Sequence, residues 1–256
     1  MVKINIDITK SIEENASIYF EKAKKAKKKL EGAREALRKS EQKLKKIRKE
    51  EPRIEKKKLK AKAKKEWYEK FRWFISSEGF LCIGGRDATS NEIVIKKHTA
   101  SNDIVFHTDT AGSPFFVIKT EGRKPGNATL EEAAQATASY SRAWKLGVTY
   151  LDVFYVKPEQ VSKKTKAGEY MGKGAFMVYG KKSYLKPELK VAVGIKENKI
   201  IAGPVNAVKA NAEKFIIIEQ GREKASALAK KIQKKLGAGE IDDIIRMLPT
   251  GGGHVK

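Results

Sequence analysis

The sequence predicts an α+β protein in which a basic antiparallel helical hairpin, a coiled coil, precedes a mixed sheet with flanking helices. Three observations lead to this prediction. An uninterrupted heptad pattern runs through a lysine-rich N-terminal segment. After residue 70, short apolar segments alternate with glycine-containing turns and helical stretches. The apolar share of 40% is enough for a sizeable core, which excludes a wholly disordered basic chain.

The N-terminal segment has apolar or small residues at alternating spacings of four and three, as a coiled coil requires. These heptad positions are Ile12, Ala16, Tyr19, Ala23, Ala26, Leu30, Ala33, Leu37, Ser40, Leu44 and Ile47. A helix from Ser11 to Lys49 would span about 58 Å. Pro52 marks a break, because proline fits a first helical turn but not an interior. A second, shorter helix is predicted from the sparser positions Ile54, Ala61, Tyr68, Phe71 and Ile75.

Positive charge is concentrated in this segment. The chain has 55 Lys and Arg against 31 Asp and Glu, a net charge of +24. Residues 1–70 hold 25 and 12 of these, a net of +13. Such an excess favours a polyanionic partner, most simply nucleic acid. A solvated coiled coil that only mediates homodimerisation is the alternative, since a heptad pattern suits a hairpin or a dimer.

Several functional classes are disfavoured. No apolar run approaches the ~20 residues of a membrane-spanning helix, and the N-terminus lacks the regions of a signal peptide. We therefore expect a cytoplasmic protein without a membrane partner. Cys82 is the single cysteine and alternates with Phe80 in an apolar strand, so it is predicted to be core. The three histidines have no His or Cys partner at metal-ligand spacing, and no metal, cofactor or catalytic residue is predicted.

The remaining chain predicts an α+β domain over residues 71–248 and a flexible glycine-rich tail over 249–256. The predicted strands are FRWFI, FLCIGG, DIVFH, FFVIK, YLDVFYV, AFMVYG, LKVAVGI, KIIAGPV and KFIIIEQG. The LKVAVGI and KIIAGPV segments should form a hairpin around residues 197–199. Asp87 should cap a short helix. The residues Thr129–Glu132 form a capping-box pattern that should open a helix running through Trp144 to Gly147. Two further helices are predicted over Arg222–Leu236 and Ile241–Met247.

Three loops carry the candidate functional residues. Residues 84–87, Gly-Gly-Arg-Asp, resemble a phosphate cradle before a helix, although a tight turn explains them as well. Residues 111–114 lie beside His107 and offer hydroxyl and backbone donors or an ordinary turn. Residues 163–174 combine cations, glycines and an aromatic, which suits a mobile loop on a sugar-phosphate backbone. The candidate RNA contacts are Arg86, His107, Ser113, Lys119, Lys163, Lys164, Lys166, Lys173, Lys181 and Lys182.

Several separated motifs, in order, resemble the NFACT-R domain of the NFACT family, archaeal-like in character. They are Trp67–Gly79, Gly84–Asp87 with Asn91-Glu92, Asp103-Ile104 with His107 and Asp109, Gly112-Ser113, Val117–Lys119, Tyr140–Trp144, Gln160–Lys163, Gly168–Tyr170, Gly174–Met177 and Gly180–Lys182. The preceding basic helices resemble the coiled-coil region of that family, so the resemblance covers nearly the whole chain.

The resemblance implies the RNA-binding part of a ribosome-associated quality-control factor. Such factors bind rRNA and tRNA on stalled large ribosomal subunits that carry peptidyl-tRNA, and they support C-terminal tailing of the nascent chain. An older label for bacterial relatives is fibronectin-binding protein. Family members begin with an NFACT-N domain that has no counterpart in this sequence, which implies a separately encoded NFACT-N partner or a fragment of a longer protein. We therefore expect a binding protein and not an enzyme.

Two alternatives stay open. The first is a stand-alone nucleic-acid-binding module of the same domain type. The second is a metal-dependent nuclease that uses Asp87, Asp103, His107 and Asp109. Strand alternation places Asp103, His107 and Asp109 on one face, whereas Asp87 lies elsewhere.

Overall fold

The computed structural model describes residues 4–49, 66–163 and 171–256. The chain divides into two compact units, Met1–Lys64 and Lys65–Lys256. No helix within these described ranges is both long and apolar enough to cross a membrane.

The first unit contains one long helix, α1 (Ile12–Lys49), which confirms the first predicted helix. It begins with a capping box, because Ser11 Oγ accepts from the Glu14 amide and the Glu14 carboxylate accepts from the Ser11 amide. The buried Asn15 side chain exchanges hydrogen bonds with the backbone of Asp7, and the Tyr19 hydroxyl bonds to the backbone of Asn5. Side chains of the first three turns thereby hold the segment that precedes the helix.

The second predicted helix falls largely on residues 50–65, outside the described residues. Its last part is wrong, because Trp67–Lys70 forms a 3-10 helix and Arg72–Ile75 forms a strand. Phe71 is 1% exposed in the core of the second unit. The apparent heptad spacing of residues 68, 71 and 75 therefore reflects burial in a sheet domain, where tertiary packing overrides a helical pattern.

The second unit is built on a six-stranded sheet in the order β1-β2-β4-β3-β5-β8. Its strands are β1 (Arg72–Ile75), β2 (Leu81–Gly84), β3 (Ile104–His107), β4 (Phe116–Lys119), β5 (Val153–Val156) and, after the short β6 (Val161–Ser162) and β7 (Met177–Val178) pair, β8 (Ser183–Leu185). Between them lie α2 (Ala88–Lys97), α3 (Asn127–Ser139) and α4 (Arg142–Leu146).

Both faces of this sheet are buried, so side chains alternate between two cores. Phe116 and Ile118 pack on one side, together with the alanine-rich α3. Val117 between them packs on the other side with Val94 of α2. The alanines of α3 permit close packing on the sheet. Cys82 is fully buried in the first core, as predicted, and burial raises the pKa of its thiol well above the ordinary range.

A second sheet has the order β10-β9-β11-β12. Its strands and helices are β9 (Val191–Lys196), β10 (Lys199–Gly203), α5 (Val205–Asn211), β11 (Lys214–Glu223), α6 (Ala225–Leu236), α7 (Ile241–Met247) and β12 (Gly253–Val255). The predicted hairpin is present. Glu197 and Asn198 both have positive φ, the conformation of a two-residue turn that matches strand twist.

The α+β class is confirmed, but three details differ. Every strand pairing among the described residues is antiparallel, so the predicted mixed sheet is wrong in that respect. The predicted flexible tail instead contains β12, which pairs with β11, and Trp144 Nε1 donates to Gly252 O at 2.9 Å. The predicted helix to Trp144 is broken between α3 and α4, where the Ser141 side chain caps α4.

The start of α3 also differs from its capping-box prediction. The helix begins at Asn127, which places Thr129 inside the first turn. Its cap is the carboxylate of Glu78, in the β1–β2 turn, which accepts from the amides of Gly126 and Thr129 and from the Thr129 hydroxyl. A residue 48 positions earlier than Gly126 therefore satisfies donors that a local side chain was expected to satisfy.

Candidate nucleic-acid interface

Three loops that the sequence singled out border one groove of about 450 Å³. They are the turn after β2, the loop between β3 and β4, and the segment before β7. The groove-lining residues that the argument uses are Arg86, Asp87, His107, Ser113, Tyr140 and Lys173. The groove brings together Arg86, His107, Ser113 and Lys173, four of the predicted RNA contacts.

Gly85 allows the turn after β2 to approach α2 closely. A Cβ at this position would lie 1.9 Å from the side-chain oxygen of Asn91. That oxygen accepts from the Phe115 amide at 3.1 Å, and the Gly85 amide donates to Phe115 O at 3.1 Å. The glycine therefore joins the turn, the helix and the β3–β4 loop into one wall of the groove.

The N-terminus of α2 is not an open phosphate cradle. The Asp87 carboxylate accepts from the Ser90 amide at 2.8 Å, which confirms the predicted cap. This hydrogen bond lowers the pKa of Asp87, so the helix terminus is already neutralised by a carboxylate at neutral pH. The tight-turn alternative explains the Gly-Gly-Arg-Asp motif better at the helix terminus itself.

His107 is fixed at the base of the groove. Its ring stacks on Phe115 with centroids 4.0 Å apart, and its Nε2 lies 3.2 Å from Ser113 O. A carbonyl can only accept, so Nε2 carries the proton. Burial lowers the pKa of His107 below its ordinary value of about 6.5, and the imidazole is neutral at pH 7. Ser113 is buried, and its carbonyl oxygen holds the histidine ring in place. Its hydroxyl donates to Pro114 O at 3.4 Å.

The predicted lysines differ in how they are held. Lys163 Nζ donates to Gly172 O at 3.0 Å and Ala175 O at 3.2 Å, so it supports the segment beside the groove. Lys182 pairs with Asp109 at 2.6 Å and lies over the Phe154 ring. Lys173 and Lys181 have exposed side chains. Lys164 and Lys166 lie outside the described residues.

Lys119 does not line the groove. Its Nζ forms an ion pair with Asp103 and donates to His98 O at 2.9 Å. The Asp103 side chain is 2% exposed, and Lys119 is 16% exposed. Lys119 is therefore a structural cation, and its prediction as an RNA contact does not agree with its position.

The carboxylates of the nuclease alternative are dispersed. Asp87 caps α2, Asp103 pairs with Lys119, and Asp109 pairs with Lys182 while accepting from Tyr184 at 3.0 Å. Within the described ranges, no group of three His, Cys, Asp or Glu side chains could hold a metal ion. The geometry thus supplies no convergent metal ligands there for hydrolysis.

The part of the chain that forms this groove matches a known protein family. The family model described as "NFACT protein RNA binding domain" matches residues 70–180, which include every loop that borders the groove. The "Archaeal Rqc2 homolog aRqcH" of Methanocaldococcus jannaschii is 41% identical over 202 residues, 76% of this chain and 30% of the relative. Residues 70–180 belong to the NFACT RNA-binding domain family.

Other NFACT relatives match a smaller part. The human "Ribosome quality control complex subunit NEMF" is 44% identical over 122 residues, which are 47% of this chain and 11% of that protein. The chain therefore spans less than a third of the length of these relatives. The C-terminal part of the fibronectin/fibrinogen-binding protein from Streptococcus suis aligns over 72% of this chain and 78% of that structure, with a TM-score of 0.41 and 16% identity. That similarity is too low to equate the two folds.

Two arginines beside this groove were not among the candidate residues from the sequence. Arg72 in β1 and Arg246 in α7 line a small cavity together with Arg86 and Tyr140. Arg246 lies outside the matched residues 70–180 and 160 positions from Arg86. No local motif links these residues, and only the approach of the C-terminal end of α7 to β1 and to the turn after β2 brings them together.

Proposed function

We propose that this chain is the RNA-binding part of a ribosome-associated quality-control factor that acts in the cytoplasm. It would bind rRNA or tRNA on stalled large ribosomal subunits that carry peptidyl-tRNA. With an NFACT-N partner, it would support C-terminal tailing of nascent chains. The observation that carries this proposal is the convergence of the predicted loops on one groove inside the matched RNA-binding domain.

The groove and the long helix contribute different kinds of contact. In the groove, exposed Lys173 and the fixed Arg86 offer donors to phosphate oxygens, and the neutral His107 offers a ring edge. Lys164, Lys166 and Lys181 stay candidates for phosphate contacts. Helix α1 has 14 Lys and Arg against 6 Glu, a net charge of +8. Such a helix attracts RNA without reading its sequence, because phosphate contacts position a complex and do not specify it.

The first test is cosedimentation of the chain with purified large ribosomal subunits at several salt concentrations. If about six phosphates are contacted, affinity should fall roughly a thousandfold between about 50 and 200 mM salt. Absence of cosedimentation at the lowest salt would contradict the proposal. Equal affinity for duplex DNA would instead favour a stand-alone nucleic-acid-binding module.

A matched pair of variants tests whether the candidate lysines of the domain bind RNA. The first variant replaces Lys164, Lys166, Lys173 and Lys181 with Gln. The second replaces the same number of exposed lysines elsewhere, namely Lys209, Lys230, Lys234 and Lys235. The first should weaken binding to all RNA sequences and flatten the salt slope by about 3. Equal losses in both variants would exclude these four lysines as the principal phosphate contacts.

A further inference from the structure

Three arginines meet beside the groove. Arg72, Arg86 and Arg246 line a common cavity with Tyr140. The guanidinium of Arg72 lies 4.1 Å from the Tyr140 ring centroid. The Tyr140 hydroxyl donates to Met247 O at 2.9 Å, which ties this ring to the end of α7.

The Arg72 and Arg86 guanidinium groups donate to backbone carbonyl oxygens, and Arg72 also interacts with the Tyr140 side chain. Arg86 donates to Phe71 O at 3.0 Å and to Arg246 O at 3.2 Å, and Arg72 is 3.5 Å from Leu248 O. Among the described residues, none of the three arginines forms an ion pair. The carboxylate of Asp87 is engaged by Ser90. Asp242 and Asp243 lie one turn earlier on α7 and are exposed.

The positive charges of this cluster act on one another. Partial burial lowers the pKa of Arg72 and of Arg86, and a like-charged neighbour lowers each further, since Arg86 acts on Arg72 and Arg246 acts on Arg86. Arg72 is half-buried, whereas Arg86 and Arg246 are exposed, so an anion can reach the cluster and offset the repulsion between its like charges. Arginine in particular matches phosphate, because its planar group donates two parallel hydrogen bonds.

We propose that Arg72, Arg86 and Arg246 form a binding site for one phosphate group of RNA. Arg86 and Tyr140 line both this cavity and the groove, so the phosphate belongs to a strand that lies in the groove. The site rests on the proposed function, to which it adds a fixed phosphate position. The cavity measures about 20 Å³, space for roughly one water-sized group. It admits a phosphate oxygen but no nucleobase.

The phosphate could come from an internal phosphodiester or from an RNA terminus, and fluorescence anisotropy distinguishes the two. The probes are one single-stranded RNA with a 5′-phosphate and the same RNA with a 5′-hydroxyl. Equal wild-type affinities identify an internal phosphodiester. Tighter binding of the phosphorylated RNA, lost in the arginine variants, identifies a terminal phosphate.

The variants are Arg246→Gln, whose side chain is exposed, and Arg72→Lys, which keeps the charge but removes the planar donor pair. Each should weaken RNA binding about tenfold, the usual effect of losing a charged hydrogen bond. Arg123→Gln is the control, because Arg123 also lies over an aromatic ring, Phe80, at 4.3 Å. It should change affinity less than twofold. Circular dichroism melting checks that each variant is folded.

Inorganic phosphate provides a second measurement that does not need RNA. Phosphate should raise the melting temperature of the wild type more than chloride does at equal ionic strength, and Arg246→Gln should lose this difference. If the wild type binds RNA but both arginine variants match it, the phosphate site is wrong and the proposed function stands. If the wild type binds no RNA, the proposed function fails, and the presence or absence of the phosphate-specific shift decides the site alone.

Discussion

The basic residues of helix α1 and those of the second unit are held in different ways. In the described part of α1, Lys39 pairs with Glu35 on the helix surface, and both side chains are more than half exposed. In the second unit, Lys119, Lys163 and Lys182 are held against carboxylates, carbonyls or aromatic rings. Net charge alone does not distinguish these two uses of lysine. Exposure and partners do, and they separate cations available to RNA from cations that stabilise the fold.

The largest expected difference in stability concerns the ion pair between Lys119 and the buried Asp103. Lys119→Ala should lower the free energy of unfolding by about 3 kcal/mol, because it leaves the buried Asp103 carboxylate without its cation. Lys39→Ala should change it by less than about 0.5 kcal/mol, since an exposed i,i+4 pair contributes little. Urea unfolding measures both. Similar changes in the free energy of unfolding for the two variants would contradict the proposed difference between the buried and the exposed ion pair.

Two glycines sharpen the same comparison. Gly84→Ala should destabilise the second unit by about 2 kcal/mol, because the added Cβ would meet the Phe116 ring at 2.6 Å. Gly32→Ala in α1 meets nothing within 4 Å and should stabilise that helix by about 1 kcal/mol. Thermal melting followed by circular dichroism checks the opposite signs. A neutral Gly84→Ala variant would contradict the close packing of β2 on β4.

A charge-removal variant tests the availability of the cations in α1. Replacing Lys24, Lys25, Lys27 and Lys28 with Gln should weaken RNA binding about tenfold at low salt and flatten the salt slope. The unfolding of the second unit should not change, because these lysines are exposed on the helix surface. Filter binding at several salt concentrations measures the effect. An unchanged slope would show that the helix does not contact phosphates.

The smallest expected effect depends on pH. Burial raises the pKa of Glu132, whose Oε1 is buried without a hydrogen-bond partner among the described residues. A raised folded-state pKa stabilises the protein below the unfolded value, and this contribution is lost as pH rises through the folded value. Glu132→Gln should therefore stabilise the protein by about 1 kcal/mol at pH 7 and by much less near pH 4. Melting temperatures across this range check the sign, with Glu35→Gln in α1 as the exposed control.

Local patterns predicted most of the elements, and long-range contacts account for the errors. Alternating apolar residues identified the strands, and the two-residue turn at Glu197 and Asn198 identified a hairpin. Phe71 was misassigned because its spacing fits a helix while its burial belongs to a sheet. The glycines at 251–253 suggested a flexible tail. The sequence does not show that this segment pairs with β11 and thereby forms β12.

The site was predicted in part for the same reason. Arg86, Ser113 and Lys173 were identified because they lie in conspicuous loops, and His107 because it ends a predicted strand beside one of them; the fold brings these loops together. Lys119 was predicted wrongly because the sequence does not show that the fold places Asp103 beside it, in an ion pair. Arg72 and Arg246 became candidates only when α7 was placed next to β1, since 174 positions of sequence separate them.

The cap of α3 has a consequence for the order in which the second unit folds. Glu78 supplies the acceptor for the first turn of this helix, so the helix gains its cap only after the β1–β2 hairpin has docked. An isolated peptide of residues 126–139 should be weakly helical, and Gly126→Asp should raise its helicity by supplying a local cap. The cap thereby makes α3 and the hairpin a single cooperative folding unit, closed by a contact of high sequence separation.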